Sequence, residues 1–214
     1  MKDKPRKDYL YLAGLLVIGL LFSMSLKLWR PHGEDLRGSP VSTQILESPS
    51  LLTFGSSDYD ITVVSFTDYQ CPPCKLSAKA LDSAVSHDGR VRLIYKEWPV
   101  FGALSEQAAR YAIAAAWQGK YRSVHQALMQ ETRRLDLGLV MQAVQNGGAD
   151  VARAQRDLEI HADVIDAELL RARQQARALR LLGTPGYLIG GILVEGALDE
   201  AGFHRIFAAA REKD

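Results

Sequence analysis

Cys71 and Cys74 are the only two cysteines in the 214-residue sequence, and two residues separate them. They follow an apolar, β-branched run at residues 61–66, and a helical pattern begins immediately after them. Two cysteines this close can form a disulfide, and the N–H groups and positive dipole of a helix N-terminus stabilise a thiolate. The spacing and placement therefore predict a redox-active dithiol whose reactive member is Cys71.

Two other uses of the cysteines are less consistent with the sequence. A structural zinc site needs four ligands, whereas the histidines are scattered away from any ligand spacing. They are His32, His87, His125, His161 and His204. A purely structural disulfide closing so short a loop would remove little entropy from the unfolded chain. We therefore expect no metal centre and no organic cofactor, although a pair of thiolates also suits Cu(I).

The N-terminal segment predicts a membrane tether. Residues 1–8 form a basic leader, and the following stretch, 9–29, has Lys27 as its only charge before Trp29. About twenty helical residues span roughly 30 Å, the thickness of a bilayer core. Basic flanks stay on the cytoplasmic side, so we expect 9–29 to be a single transmembrane signal anchor and the rest of the chain to be extracytoplasmic.

A cleaved signal peptide is the alternative for the same segment. Ser23 and Ser25 form a small-x-small pattern after a compact apolar core at residues 10–22. Either arrangement places the main domain in an oxidising compartment, where disulfide chemistry occurs. The predicted location is the inner membrane, with the catalytic domain on its periplasmic or extracellular side.

The charge beyond the membrane segment argues against a nucleic-acid partner. Six of the 26 basic residues lie in residues 1–30, which leaves 20 basic and 23 acidic residues in the main body. A body with a net charge of about −3 lacks the basic surface that nucleic acids require. Its length is sufficient for one domain with a sizeable core.

The order of predicted elements is that of an α/β domain with an insertion. Residues 30–50 are polar and rich in Gly, Pro and Ser, which indicates a linker. Residues 51–104 predict strands around a helix, a βαβ unit, and 105–182 are helical in pattern throughout. Residues 183–214 begin with a turn and continue as a β-hairpin and a final helix.

Two motifs in this order resemble the thioredoxin fold. They are Phe-Thr-Asp-Tyr-Gln-Cys-Pro-Pro-Cys-Lys at residues 66–75 and Gly-Thr-Pro-Gly-Tyr-Leu-Ile-Gly-Gly at residues 183–191. The helical insertion makes the chain most similar to the DsbA-like branch, over residues 51–211. The resemblance implies a thioredoxin-like domain formed by 51–104 and 183–214, an inserted helical domain at 105–182, and thiol:disulfide oxidoreductase activity. It also implies that Cys71 is the exposed nucleophile and Cys74 the buried resolving thiol.

The same resemblance gives a role to Thr184 and Pro185. In the thioredoxin fold a cis proline at this place faces the active-site disulfide, so we expect the Thr184–Pro185 bond to be cis. Thr184 would offer backbone groups to an extended substrate segment. Its hydroxyl could also hydrogen-bond the sulfur and favour the thiolate. The alternative is an ordinary trans turn between a helix and a strand.

One departure from the family concerns proton transfer. Many thioredoxin-like domains carry a buried acid six residues before the first cysteine, and Ser65 stands there instead. Glu97 is the candidate proton relay that replaces it, with an exposed charge at a strand end as the alternative reading. Asp68, at the end of the preceding strand, is interpreted as a solvated or turn residue.

A second departure bears on the direction of electron flow. Strongly oxidising DsbA-like enzymes have a histidine between the cysteines, where this chain has Pro73. Proline offers neither a side-chain hydrogen bond nor an N–H. Weaker stabilisation of the reduced thiolate makes a weaker oxidant, which is our prediction here.

These observations favour a monomeric, membrane-tethered oxidoreductase that exchanges disulfides with extracytoplasmic protein thiols or disulfides. A membrane redox partner would restore its cysteines, and oxidase, isomerase and reductase directions all stay open. Two alternatives come from other classes: a noncatalytic membrane-tethered peptide-binding or chaperone module, and a Cu(I)-handling protein that uses the same cysteines.

Overall fold

The computed structural model describes residues 33–212, which form an α/β fold. The strands of the described part are β1 (Glu34–Asp35), β2 (Thr53–Gly55), β3 (Ile61–Thr67), β4 (Val91–Glu97), β5 (Gly186–Ile189) and β6 (Ile192–Glu195). The helices are α1 (Pro40–Glu47), α2 (Pro72–Asp88), α3 (Ala103–Ala114), α4 (Tyr121–Gln130), α5 (Leu137–Asn146), α6 (Val151–Ile160), α7 (Ala162–Ala178) and α8 (Glu200–Arg211).

The six strands form one sheet in the order β1-β6-β5-β3-β4-β2. β3 and β4 are parallel and joined by α2, whereas every other neighbouring pair is antiparallel. All seven residues of β3 are buried, as expected for a central strand with this apolar, β-branched content. The chain thus has a βαβ half, inserted helices and a ββα half, the arrangement that the resemblance implied.

Helices cover both faces of the sheet. On one face Tyr95 of β4 belongs to the same apolar cluster as Leu81 of α2 and Phe203 of α8. This cluster continues into helices α3 to α6, so those helices share a core with the sheet. On the opposite face Ile94 packs in a second cluster with Ile45 of α1 and Ala172 of α7. Consecutive residues of a strand point to opposite faces, so neighbours in β4 have different surroundings.

The linker predicted at 30–50 is wrong for most of its length. β1 pairs with β6, and α1 buries Ser42 and Ile45, the latter with 2% of its surface exposed. Pro40 occupies the first turn of α1, where its missing N–H is not needed. The polar composition misled because an eight-residue helix needs few apolar residues to dock.

Several helix boundaries follow the predicted signals and one differs. Asp199 caps α8 by accepting the N–H of Gly202, and α6 and α7 meet at His161. The helical region predicted from residue 105 instead begins with α3 at Ala103, and the Ser105 side chain makes a different contact, described below.

Within residues 33–212, no helix has the length and apolar character needed to cross a membrane. The predicted leader at 1–8 and transmembrane segment at 9–29 lie outside the described residues.

Candidate active site

Cys71 and Cys74 form a disulfide at the N-terminus of α2, with their Cα atoms 5.2 Å apart. Cys71 is the N-cap residue, and Pro72 and Pro73 occupy the first two helical positions. Since neither proline has an N–H, the first free donor of the helix is that of Cys74. This N–H donates to Sγ of Cys71 over 3.2 Å. The sequence Cys-Pro-Pro-Cys therefore directs the helix N-terminus at the first sulfur.

Both cysteines are buried in the disulfide form. Cys71 exposes 0% of its surface and Cys74 2%, so the expectation of an exposed Cys71 is wrong. Both belong to the apolar cluster between the sheet and α2, and the Thr184 backbone lies over Cys71. Attack on the Cys71 sulfur therefore requires local displacement of the atoms that cover it.

The Thr184–Pro185 peptide bond is cis, as the resemblance implied. The carbonyl oxygen of Thr184 lies 3.2 Å from Sγ of Cys71, although 113 residues separate the two in sequence. The Thr184 hydroxyl is buried and has no hydrogen-bond partner among the described residues, so the predicted hydroxyl–sulfur bond is not formed. A carbonyl accepts a hydrogen bond from a thiol and not from a thiolate, so this contact favours the protonated form of Cys71.

Glu97 is buried rather than an exposed strand-end charge, with 2% of its surface accessible. Its Oε1 accepts hydrogen bonds from the hydroxyls of Tyr69 and Tyr121, each over 2.5 Å. Nδ1 of His125 lies 2.9 Å from the Tyr69 hydroxyl and 3.7 Å from Oε1 of Glu97. Oε2 of Glu97 is buried without a hydrogen-bond partner in the described part of the chain. We call these four residues the Glu97 network.

The tyrosines of the network remain hydrogen-bond donors at neutral pH. Burial raises the pKa of Tyr69 and of Tyr121 well above the usual value of 10, and the adjacent Glu97 carboxylate raises both pKa values further. One oxygen of Glu97 is therefore held by two persistent O–H groups, while the other oxygen has none. A carboxyl with one unoccupied oxygen can accept or release a proton without losing its anchoring bonds.

The sheet register places Glu97 at the C-terminal end of β4, the same end of the sheet at which β3 leads towards the cysteines. β3 and β4 are parallel, and their last pair is Thr67 with Glu97. Ser65, which replaces the family's buried acid, is 3% exposed and pairs with Tyr95 one step earlier on the same face. The buried carboxyl of this site is therefore on β4 and not on β3. It lies two residues beyond Tyr95, the residue that pairs with Ser65.

Asp68 is the second buried carboxylate near the cysteines, and the interpretation as a solvated residue is wrong. Its Oδ1 accepts the N–H of Gln70 and the Ser105 hydroxyl, each over 2.7 Å. Its Oδ2 accepts the N–H groups of Val100 and Phe101, over 2.6 and 3.0 Å. With both oxygens occupied, Asp68 fastens the loop after β4 to the segment that leads into Cys71.

Exposed apolar side chains surround the cysteine end of α2. Leu76 is 78% exposed, and Phe101 and Leu182 are 53% and 93% exposed. A cavity of about 420 Å³ lies beside the first turn of α2 and is lined in part by Pro72 and Leu76. These features form an apolar surface around a buried disulfide.

A larger cavity, of about 600 Å³, lies between α2 and α4. His125 of the Glu97 network is part of its lining, together with Lys75 and Lys79. Lys75 donates from Nζ to the carbonyl of Glu131, and burial lowers its pKa. The cavity thus gives the buried network a side that faces solvent.

Sequence reasoning identified the cysteines, Thr184, Pro185 and Glu97 but missed the partners of Glu97. Tyr69 lies inside the quoted motif, two residues before Cys71, and its position was the available signal. Tyr121 and His125 are spaced four apart on α4, a spacing that puts them on one face but does not indicate Glu97 as their target.

Comparison with known proteins agrees with this geometry. Residues 62–208 match the family described as DSBA-like thioredoxin domain, and the chain belongs to that family. A thioredoxin-like oxidoreductase from Silicibacter pomeroyi DSS-3 is 32% identical, with a TM-score of 0.72 over 84% of this chain and 97% of that one. A periplasmic thioredoxin-like protein from Salmonella enterica serovar Typhimurium is 26% identical, with a TM-score of 0.67 over 80% and 97% of the two chains. The chain therefore has a DsbA-like thiol:disulfide oxidoreductase fold with its cysteine pair joined.

Curated relatives add a match of a different kind. The Na(+)/H(+) antiporter NhaA 1 of Mycolicibacterium vanbaalenii is 26% identical over 217 residues, which take in 99% of this chain and 35% of that protein. The chain thus spans about a third of the length of the curated relatives it matches. The name describes the antiport activity of that full-length protein.

Proposed function

We propose that this protein exchanges disulfides with protein substrates through Cys71 and Cys74. The observation that supports this most directly is the disulfide at the start of α2, which faces the cis Thr184–Pro185 bond, with the carbonyl oxygen of that bond 3.2 Å from Sγ of Cys71. The N-terminus of α2 and the N–H of Cys74 stabilise the Cys71 thiolate. Cys71 is therefore the better leaving group and the better nucleophile of the pair.

The exchange can be written for the oxidising direction. A substrate thiolate attacks Sγ of Cys71, the Cys71–Cys74 bond breaks, and Cys74 leaves with the electron pair. A second substrate thiolate then attacks the substrate sulfur of the mixed disulfide, and Cys71 leaves as a thiolate. The substrate loses two electrons and the enzyme dithiol gains them; the reducing direction is the reverse.

We assign the delivery of the proton that Cys74 requires to Glu97, which would take it up from the cavity side through His125 and pass it to the Cys74 thiolate. A buried thiolate at Cys74 is costly, since its surroundings are largely apolar, so it must be protonated on leaving. Glu97 lies at the strand edge from which the cysteines emerge and has a free oxygen, and His125 connects its network to the cavity between α2 and α4. This is the role that Ser65 cannot fill.

The exposed apolar surface around the site supports protein substrates rather than small thiols. Leu76, Phe101 and Leu182 can bury apolar side chains of an unfolded segment, and the backbone at Thr184 can pair with it as an added strand. Binding of this kind would also move the atoms that cover Cys71.

The location and partners follow from the sequence pattern. We infer that residues 9–29 hold the protein in the inner membrane and that the catalytic domain works outside the cytoplasm as a monomer. A structural relative at 26% identity is described as periplasmic, which supports this placement. A membrane redox partner then restores the cysteines after each turnover.

Two features favour a weaker oxidant than histidine-bearing relatives. Pro73 supplies no hydrogen bond to the thiolate, and the Thr184 carbonyl favours the neutral thiol of Cys71. Both features leave the Cys71 thiolate less stabilised, and weaker stabilisation of this reduced thiolate lowers the reduction potential.

The proposal is tested by exchange assays on the full chain in detergent, with a reduced, unfolded protein as substrate. Oxidised glutathione is supplied as the oxidant. We expect turnover by the wild type, a trapped mixed disulfide between substrate and Cys71 in Cys74→Ser once glutathione has been attached to its Cys71, and neither with Cys71→Ser. Equilibration of the wild type with glutathione gives its reduction potential, which is compared with that of a Cys-Pro-His-Cys enzyme measured in the same way.

The outcome against the proposal is equally defined. If the wild type shows no exchange while Cys71→Ser still binds the unfolded substrate, the noncatalytic peptide-binding alternative replaces it. A potential equal to that of the histidine-bearing enzyme would contradict the weaker-oxidant part alone.

A further inference from the structure

Three metal-ligating side chains from two helices converge far from the cysteines. His87 lies in the last turn of α2, and Glu200 and His204 lie in α8. Oε1 of Glu200 is 2.7 Å from Nδ1 of His87 and 3.7 Å from Nε2 of His204. The three ligand atoms all lie within 4.8 Å of one another. We call these residues the His87 cluster.

The spacing is close to that of a bound transition metal ion. Tetrahedral zinc with bonds of about 2.0–2.1 Å places its ligand atoms about 3.3 Å apart. The separations in the His87 cluster bracket this value, and its side chains are partly exposed and free to rotate by the small amount required. Two imidazoles and a carboxylate are donors that zinc accepts, and they leave a position for water.

The helices that carry the ligands are fixed relative to each other. The Ser77 hydroxyl of α2 donates to the carbonyl of Leu198 and accepts its N–H, over 2.9 and 3.0 Å. Beyond the cluster, Arg211 of α8 forms a two-pronged ion pair with Asp88 of α2. In sequence, Ser77 and Asp88 stand on either side of His87 in α2. Leu198, just before α8, and Arg211 stand on either side of Glu200 and His204, so the ligands are held near one another before any ion binds.

We propose that the His87 cluster is a binding site for a divalent transition metal ion of the zinc type. Bound there, the ion would join the C-terminal end of α2 to α8. The site is separate from the thiols, because the 16 residues from Cys71 to His87 place it roughly 24 Å away along the helix axis. The ordinary alternative is a surface ion pair between His87 and Glu200, which has no need of His204.

The test uses the tag-free, fully oxidised full chain in detergent, so that neither thiols nor a purification tag can bind the ion. Titration calorimetry with ZnCl₂ should show one site in the micromolar range, and MgCl₂ should show none. His204→Ala and Glu200→Gln should each weaken zinc binding at least tenfold, and His87→Ala/His204→Ala should abolish it. Thermal unfolding should shift upward with zinc in the wild type and not in His87→Ala/His204→Ala.

His161→Ala is the matched control, because His161 is a partly exposed histidine outside the cluster that stacks on Trp117. It should bind zinc as the wild type does. The proposal is overturned if the double variant retains wild-type affinity, if His161→Ala weakens binding as much as His204→Ala, or if the wild type shows no saturable binding. Anomalous scattering at the zinc edge from crystals of the complex should place one ion among the three ligand atoms. Since the cysteines stay oxidised throughout, either result is independent of the proposed exchange activity.

Discussion

Lys96 and Glu97 are consecutive residues of β4, equally buried at 1% and 2% exposure, yet their charged ends lie on opposite faces of the sheet. On the cysteine face, Glu97 is anchored by Tyr69 and Tyr121. On the opposite face, Nζ of Lys96 has no hydrogen-bond partner within residues 33–212. Glu168 and Arg171 of α7 are the charges that act on it, and Arg171 already pairs with Glu168.

The carboxyl of Glu97 is held by hydrogen bonds near the cysteines, whereas the ammonium of Lys96 is buried without one. A buried charge without hydrogen bonds is destabilising, and burial lowers the pKa of Lys96 to about 8. The Glu97 network is also buried, but its polar atoms bond one another apart from one free oxygen. We therefore expect substitution of Lys96 to change stability and substitution of Glu97 to change catalysis.

The largest expected effect is stabilisation by Lys96→Met. Methionine keeps the unbranched chain and removes the buried charge, so the free energy of unfolding at pH 7 should rise by up to about 3 kcal/mol. Urea unfolding of the oxidised protein measures this, with the exposed Lys79→Met as the matched control, expected within about 0.5 kcal/mol of wild type. If Lys96→Met is instead less stable than the wild type, Nζ of Lys96 makes a stabilising interaction that the contacts above do not include.

The pH dependence of stability should reveal the same lysine. Its folded pKa, about 8, lies below the usual lysine pKa of 10.5, so between these values the unfolded chain binds more protons and stability rises with pH. From pH 7 to 9.5 this contributes about 2 kcal/mol of added stability in the wild type, and none in Lys96→Met.

The scan must stop near pH 9.5 because tyrosines act in the opposite direction. Burial raises the pKa of Tyr69, Tyr95 and Tyr121 well above 10, so the unfolded chain loses these protons first and stability falls above that pH. If the difference between wild type and Lys96→Met stays constant from pH 7 to 9.5, the depressed pKa of Lys96 is wrong.

The sequence alone could locate β4 but not the different surroundings of Lys96 and Glu97. The β-branched run before Cys71 and the strand ending at Glu97 were predictable, because alternation and motifs are local. The surroundings of Glu97 were not, since its partners Tyr69 and Tyr121 lie 28 and 24 residues away in sequence and meet it only through tertiary packing. Local composition misled at α1, where a polar segment docks through two buried residues.

The same limit explains the two ends of α2. Its N-terminus was predictable from Cys71, Cys74 and the family resemblance, whereas burial of Cys71 depends on Thr184, 113 residues away. At its C-terminus, His87 was dismissed as a ligand because His204 and Glu200 are remote in sequence, and only the packing of α8 on α2 brings them together.

A catalytic effect is expected from Glu97→Gln. The amide oxygen can still accept from Tyr69 and Tyr121, but the side chain cannot transfer a proton, so the rate of disulfide exchange should fall about tenfold to a hundredfold. The pH–rate profile should flatten with it, while Lys96→Met, one residue away on the other face, leaves the rate unchanged. Equal loss of rate in both variants would mean that burial in β4, and not proton transfer, is what exchange requires.

The smallest effect should come from Tyr121→Phe, which removes one of two hydroxyls from Oε1 of Glu97. The loss of one hydrogen bond to a carboxylate should cost about 1–2 kcal/mol of stability. Exchange should slow by less than about threefold, because Tyr69 still anchors Glu97 and contacts His125. Tyr69→Phe breaks both contacts and should slow exchange more at a similar cost in stability. Urea unfolding and stopped-flow exchange on the two variants separate these effects. If Tyr121→Phe slows exchange as much as Tyr69→Phe, the route from Glu97 to the cavity does not depend on the Tyr69–His125 contact alone, and the contact of the Tyr121 hydroxyl with Nδ1 of His125, over 3.5 Å, becomes the alternative.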